Sequence, residues 1–209
     1  MPGSSTILYY VHDPMCSWCW AYRPTLLRLR ENLPEEISWQ NVLGGLAPDN
    51  EEPMPEHTRQ MVQAHWLEIQ STIGTEFNFE FWTKCQPRRD TYKASRAVIA
   101  AAAQDAEEAM IEAIQKAYYL NARNPSDPGT LADLAAELGL NRTLFVEDFG
   151  SLQTATELQR QLSLRRQLNV WSFPSLVLRN QSELIPIKHD YQDYESTLAE
   201  IHDYITPAI

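Results

Sequence analysis

The chain is poor in cysteine, in glycine and in basic charge, and it has no long apolar run. Its 209 residues include three cysteines and seven glycines. A small, odd number of cysteines excludes the multi-disulfide framework of a small secreted domain. No stretch approaches the roughly 18 apolar residues of a helical membrane span. The N-terminal MPGSSTILYYVHD has no basic leader, and its apolar stretch breaks at His12-Asp13, so it does not read as a signal peptide. A cytoplasmic location is therefore expected. The 17 basic residues are outnumbered by 28 acidic ones, for a formal net charge of -11. Such a surface repels phosphate backbones and anionic lipid, which sets aside nucleic acid and membrane as partners. Arg88-Arg89 and Arg165-Arg166 are clusters of only two residues, and they read as solvated faces.

With 44% apolar and 22% charged residues, the rest is ordinary globular sequence. It is long enough for one well-filled domain or for a small domain with a large insertion. Thr6 to Val11 reads as a buried strand, ended by His12-Asp13-Pro14. The segment after Cys16 reads as an amphipathic helix with Pro24 as an internal kink. Glu36 to Leu43 reads as a second strand, closed by Gly44-Gly45, which completes a βαβ unit. A Pro- and acid-rich stretch follows. From about His57 to Arg166 the pattern is helical, with a stop at Gly74 and an N-cap expected at Thr130. FNFEFW, Phe77 to Trp82, reads as an extended aromatic piece, either packed in the core or lining a groove. Pro174 to Leu178 and Glu183 to Ile187 flank the turn Arg179 to Ser182 as a hairpin, with Pro186 marking an edge strand. A last amphipathic helix closes the chain.

Two of the three cysteines, Cys16 and Cys19, are separated only by Ser17 and Trp18 at the expected strand-to-helix junction. A sulfur at a helix N-terminus meets unpaired backbone N–H groups and the positive end of the helix dipole, which favour the thiolate. A second sulfur three residues on lies on the same face one turn later. The pair suits attack on a disulfide by an exposed, acidified Cys16, followed by resolution from Cys19. Zinc would need four ligands, and there is no second C-x-x-C or H-x3-5-H, while His12, His57, His65, His189 and His202 are scattered. No metal and no cofactor beyond the cysteines is expected. Cys85 has no neighbouring cysteine and reads as an inert thiol. Pro174, opening a strand after Val170-Trp171-Ser172-Phe173, is where a cis bond would be tolerated, although trans is the default.

The order βα(C-x-x-C)β, helical block, α, Pro, β, β, α resembles the DsbA-like branch of the thioredoxin superfamily over nearly the whole chain. Cys16-Ser17-Trp18-Cys19, the helical Pro24 and the late Phe173-Pro174 carry the likeness. DPMCSWCW with FPSLVL is most similar to cytoplasmic members regarded as protein-disulfide isomerases. The resemblance implies an α/β thioredoxin fold with a helical insertion, 48–150, inside a discontinuous domain, 1–47 and 151–209. It also implies a cis-proline loop facing the cysteines, with Ser17, Trp18, Phe173 and Pro174 bordering a substrate groove. Met15 and Trp20 are further candidates for that groove, and core packing is the alternative for Trp20.

The chain departs from the family at two places. Oxidising members commonly have His between the cysteines, where this chain has Trp18, which implies a less oxidising pair. Some members have Glu six residues before the nucleophile, where this chain has Tyr10. His12 and Asp13 lie nearby as candidates for proton transfer, and loop capping is the commoner use of such an Asp. The expected activity is reduction or isomerisation of protein or small-molecule disulfides, with glutathione as a possible co-substrate. A glutathione-dependent transferase or isomerase and a non-catalytic peptide-binding module are the alternatives. Nothing in the sequence sets an oligomeric state.

Overall fold

The computed structural model describes residues 6–205; the first five residues, where part of the N-terminal reading falls, and the last four lie outside them. Strand β1 (Thr6–His12), helix α1 (Ser17–Glu31) and strand β2 (Ile37–Leu43) form the expected βαβ unit. β1 and β2 pair in parallel from Thr6 opposite Ile37 to His12 opposite Leu43. Six helices follow: α2 (Glu56–Ile73), α3 (Phe81–Lys84), α4 (Tyr92–Ala102), α5 (Glu107–Tyr119), α6 (Pro128–Glu137) and α7 (Arg142–Phe149). Helix α8 (Leu152–Gln167), strands β3 (Ser175–Asn180) and β4 (Glu183–Ile187) and helix α9 (Tyr194–Ile205) complete the described chain. The sheet order is β2-β1-β3-β4, with β3 antiparallel to both of its neighbours.

β1 lies inside this sheet and is covered on both faces. Leu8 and Tyr10 pack with Tyr22, Leu26 and Leu29 of α1 and with Ile201 of α9. Tyr9 and Val11, pointing the other way, pack with Val42, Val177, Leu168 and Val170. Burial on both faces explains why TILYYV is nearly continuous in apolar character rather than alternating. A third and larger cluster gathers the helical block around Trp66, Ile69, Met110 and Ile114. It also takes in Met15, Ala21 and Leu43 from the βαβ unit and Leu158 and Leu162 from α8, so one core bridges the insertion and the segments around it.

Several local expectations are corrected. α6 starts at Pro128 with Asp127 as N-cap, not at Thr130. A proline at the first helical position has its φ already set and needs no N–H partner, which moves the start upstream. Phe77 to Trp82 is not extended throughout: Phe81 and Trp82 open α3. Phe77, Phe81 and Trp82 are buried, and the rings of Phe77 and Trp82 lie 5.0 and 4.9 Å from that of Trp66, so the segment is core. The hairpin turn is tighter than expected, because Arg179 and Asn180 are still paired with Leu184 and Glu183. Other readings hold. Gly74 caps α2 in the left-handed region (φ 85°), Pro186 lies on an edge strand, and α1 runs through Pro24 as one helix of 15 residues.

Candidate functional site

β1 brings the chain to one end of the sheet, and Asp13 shapes the loop into α1. The Asp13 carboxylate is fully buried. One oxygen accepts from the Met15 N–H at 2.8 Å. The other accepts from the Leu46 N–H at 2.7 Å and the Thr91 hydroxyl at 2.6 Å. The Cys16 N–H donates to the Asp13 carbonyl at 3.0 Å. Asp13 thus ties the cysteine loop to the segment after β2 and to the start of α4. Burial pushes its carboxyl above the usual carboxylate range, although these bonds and the charge of Arg89 act the other way. Its oxygens are occupied in capping, the commoner use expected for it.

Cys16 is the N-cap of α1, with extended backbone at φ -86° and ψ 120°, and no side-chain oxygen caps this helix. The sulfur therefore occupies the place where a capping acceptor usually serves the orphan N–H groups. Both thiols are free; Cys16 is 7% exposed and Cys19 0%, so of the two only Cys16 meets solvent. An exposed Cys16 was expected, and the structure corrects this to a largely buried residue that lines a cavity. A hydrogen bond from the Cys19 thiol, then the backbone N–H groups of Cys19 and Trp18, hold the Cys16 thiol below its ordinary value against the opposing effect of burial. Burial and the neighbouring Cys16 push the Cys19 thiol well up. The thiols are thus separated in acidity without a histidine between them.

The Phe173–Pro174 bond is cis, where the residues alone left trans as the default. The Cys16 thiol donates to the Phe173 carbonyl at 3.6 Å. Gly44 makes this approach possible: a Cβ there would lie 2.2 Å from the Phe173 ring. The Gly44 carbonyl accepts from Arg165 Nη1 at 3.1 Å, and the Arg165 guanidinium lies 5.3 Å from the Trp171 ring centre.

A cavity of about 250 Å³ opens beside Cys16. Met15, Ser17, Trp18 and Phe173 line it near the sulfur, and Trp66, Tyr118 and the Arg88–Thr91 segment bring in the helical block. Trp18 donates its indole N–H to His65 Nδ1 at 3.3 Å, and both residues line the cavity. A family model described as thioredoxin matches residues 9–196. The chain belongs to the thioredoxin family.

Within that family its place is the DsbA-like branch, as the sequence resemblance implied. A solved structure from Nitrosomonas europaea, proposed to be a protein disulfide isomerase, superposes with TM-score 0.83 at 25% identity, covering 96% of this chain and 98% of that one. The cytosolic disulfide reductase DsbM of Pseudomonas aeruginosa gives TM-score 0.74 at 25% identity, over 95% and 96% of the two chains; it has also been solved with GSH. The ClpXP adapter protein SpxH of Bacillus subtilis is 22% identical over 96% of this chain and 69% of its own. Of the SpxH of Halalkalibacterium halodurans the chain spans 59%.

The thioredoxin fold brings Cys16, Ser17, Trp18 and Phe173 to one cavity, with Met15 among them, while Pro174 is buried behind Phe173. Trp20 is directed elsewhere: its N–H donates to the Glu76 carbonyl at 3.1 Å and its ring stacks on Tyr119 at 5.8 Å. His12 is fully buried, stacked on Tyr10 at 4.8 Å, and neither ring nitrogen has a hydrogen-bond partner among the described residues. Burial lowers its pKa to about 4, so it is neutral at physiological pH. The Cys85 thiol donates to the Ala122 carbonyl at 3.0 Å, and burial pushes its pKa up, as an unreactive thiol requires. Arg88 and Arg89 are half-buried on the cavity wall, which corrects their reading as a solvated face. Sequence reasoning also missed Gly44, His65 and Thr91. Only Gly44, in a Gly-Gly pair closing a strand, carried a signal that could have marked it.

Proposed function

We propose that this protein is a dithiol–disulfide oxidoreductase that reduces or isomerises disulfides in the cytoplasm, with Cys16 as nucleophile and Cys19 as resolving thiol. The observation that carries the reading is the Cys16 thiol at the head of α1, lowered in pKa and hydrogen-bonded to the Phe173 carbonyl, with Cys19 sealed behind it. In the forward reaction the Cys16 thiolate attacks one sulfur of R–S–S–R′. The Cys16–S–R bond forms, the S–S bond breaks, and R′S⁻ leaves to take up a proton. Cys19 then loses its proton and attacks the Cys16 sulfur, which releases RS⁻. Two electrons pass to the substrate, and the protein holds a Cys16–Cys19 disulfide. A thiol such as glutathione would return those electrons, a role favoured by the GSH-bound DsbM structure. Ser17, Trp18, Phe173 and Pro174 would border the bound substrate. Proton transfer by His12 or Asp13 has less support, because Asp13 is engaged in capping and His12 is buried.

The likeness to SpxH favours a second reading, a protein-binding adapter in which the cysteines are incidental. Thiol trapping across a series of glutathione buffers, read by mass spectrometry, separates the two. A single internal disulfide that forms and breaks cooperatively, with Cys19→Ser accumulating mixed disulfides on Cys16, is the expected result. Full insulin reduction by Cys16→Ser would sink the oxidoreductase assignment. Client binding that survives replacement of both cysteines, with no reductase activity in the parent, would establish the adapter. A lasting Cys16–glutathione adduct with no internal disulfide would instead support the glutathione-dependent transferase.

A further inference from the structure

The basic side chains from Arg88 into α4 are mostly paired. Arg88 is bound to Asp127, Lys93 lies 2.8 Å from Asp90 and 2.5 Å from Glu51, and Arg96 lies 2.7 Å from Asp49. Arg89 is different. It is half-buried and lines the cavity with Cys16, and it makes no ion pair or side-chain hydrogen bond among the described residues. Two acids close to it in sequence or in charge already have other partners. Asp90, on the same wall, is fully buried with Lys93, and the Asp13 oxygens already accept from three donors. In a chain with 28 acidic and 17 basic residues, an unpaired guanidinium is not explained by a shortage of partners.

We propose that the cavity selects disulfides carrying a carboxylate, and that Arg89 is the site that binds it. The proposal rests on the oxidoreductase reading and adds its substrate class. A guanidinium presents a planar fork of donors that matches a carboxylate, and a half-buried setting strengthens that pairing relative to water. Met15, Met54 and Trp66 on the same walls would receive the apolar part of the ligand. A volume of about 250 Å³ suits a small-molecule half or a side chain or two of a peptide. The net charge of -11 repels anions at long range, so any preference for them must come from a local group. Thiol–disulfide exchange proceeds as written above, and Arg89 orients the substrate half without taking part in bond making.

The test uses the reduced full-length protein and three small symmetrical disulfides: 3,3′-dithiodipropionate, bis(2-hydroxyethyl) disulfide and cystamine. They differ in charge, being anionic, neutral and cationic. Each rate of Cys16–Cys19 oxidation is divided by the rate of the same probe with free dithiothreitol. The anion is expected to exceed the neutral probe by about tenfold, the size of one charge-assisted hydrogen bond at a partly exposed site. Arg89→Gln should bring that ratio close to one, and Arg89→Lys should retain part of it. The proposal is overturned if wild type prefers cystamine, or if Arg89→Gln slows all three probes equally, as a mere counter-charge to Asp13 would. If none of the three probes oxidises the Cys16–Cys19 pair, the oxidoreductase reading itself fails instead.

Discussion

Replacing His12 by Phe tests how the buried end of β1 couples to pH. The imidazole is fully buried against Tyr10 and has no hydrogen-bond partner on either nitrogen among the described residues, and its pKa falls from the ordinary 6.5 to about 4. As pH drops, the unfolded chain takes up this proton first. The stability associated with a neutral His12 is therefore complete above 6.5 and lost as pH falls toward about 4. At about 1.36 kcal/mol per pH unit, that interval amounts to roughly 3 kcal/mol. A whole domain is stable by only about 5–15 kcal/mol, so a loss of this size is measurable. His12→Phe keeps a ring against Tyr10 and removes both unpartnered nitrogens, so near neutral pH it should be neutral or stabilising. Urea unfolding at about pH 7 and about pH 4.5 should show the variant gaining roughly 2–3 kcal/mol over wild type at the lower pH. The raised pKa of Asp13 acts in the opposite direction, but it is present in both proteins and cancels in the comparison. If the two proteins lose stability in parallel over this range, His12 is not buried in its neutral form and the reasoning fails.

Two further outcomes follow from the site. Gly44→Ala places a methyl group within 2.2 Å of the Phe173 ring, which must then move with the carbonyl that holds Cys16. It should cost about 1–3 kcal/mol in thermal or urea unfolding and should change the alkylation rate of Cys16; an unaltered rate would show that the Phe173 loop and the thiol are independent. Cys19→Ala removes the hydrogen bond that contributes most to lowering the Cys16 pKa, so the midpoint of the Cys16 iodoacetamide pH profile should move upward. A midpoint that stays in place or moves down would assign the acidity to the helix terminus alone.

Much of this was legible because it is written within short stretches. The apolar run of β1, the breaker His12-Asp13-Pro14 and the C-x-x-C spacing together placed a thiol at a helix head. Gly74 and Pro186 marked a helix end and an edge strand, since left-handed backbone and a missing N–H are properties of single residues. Thr130 misled because Asp127-Pro128, just upstream, competes for the same helix start and prevails. The aromatic FNFEFW had no period to indicate that it would close around Trp66, which comes from another helix.

The cavity belongs to the other category. Cys16, Gly44, His65, Arg89 and Phe173 come from five separate segments, and no local pattern joins them. Hydrogen-bond geometry and side-chain periodicity act over a few residues, so sequence alone determined most of the elements, their order and the cysteine pair at the head of α1. Which thiol is sealed, which arginine goes unpaired and which glycine admits a ring depend on volumes and charges brought together across the chain, and only the tertiary structure decided them.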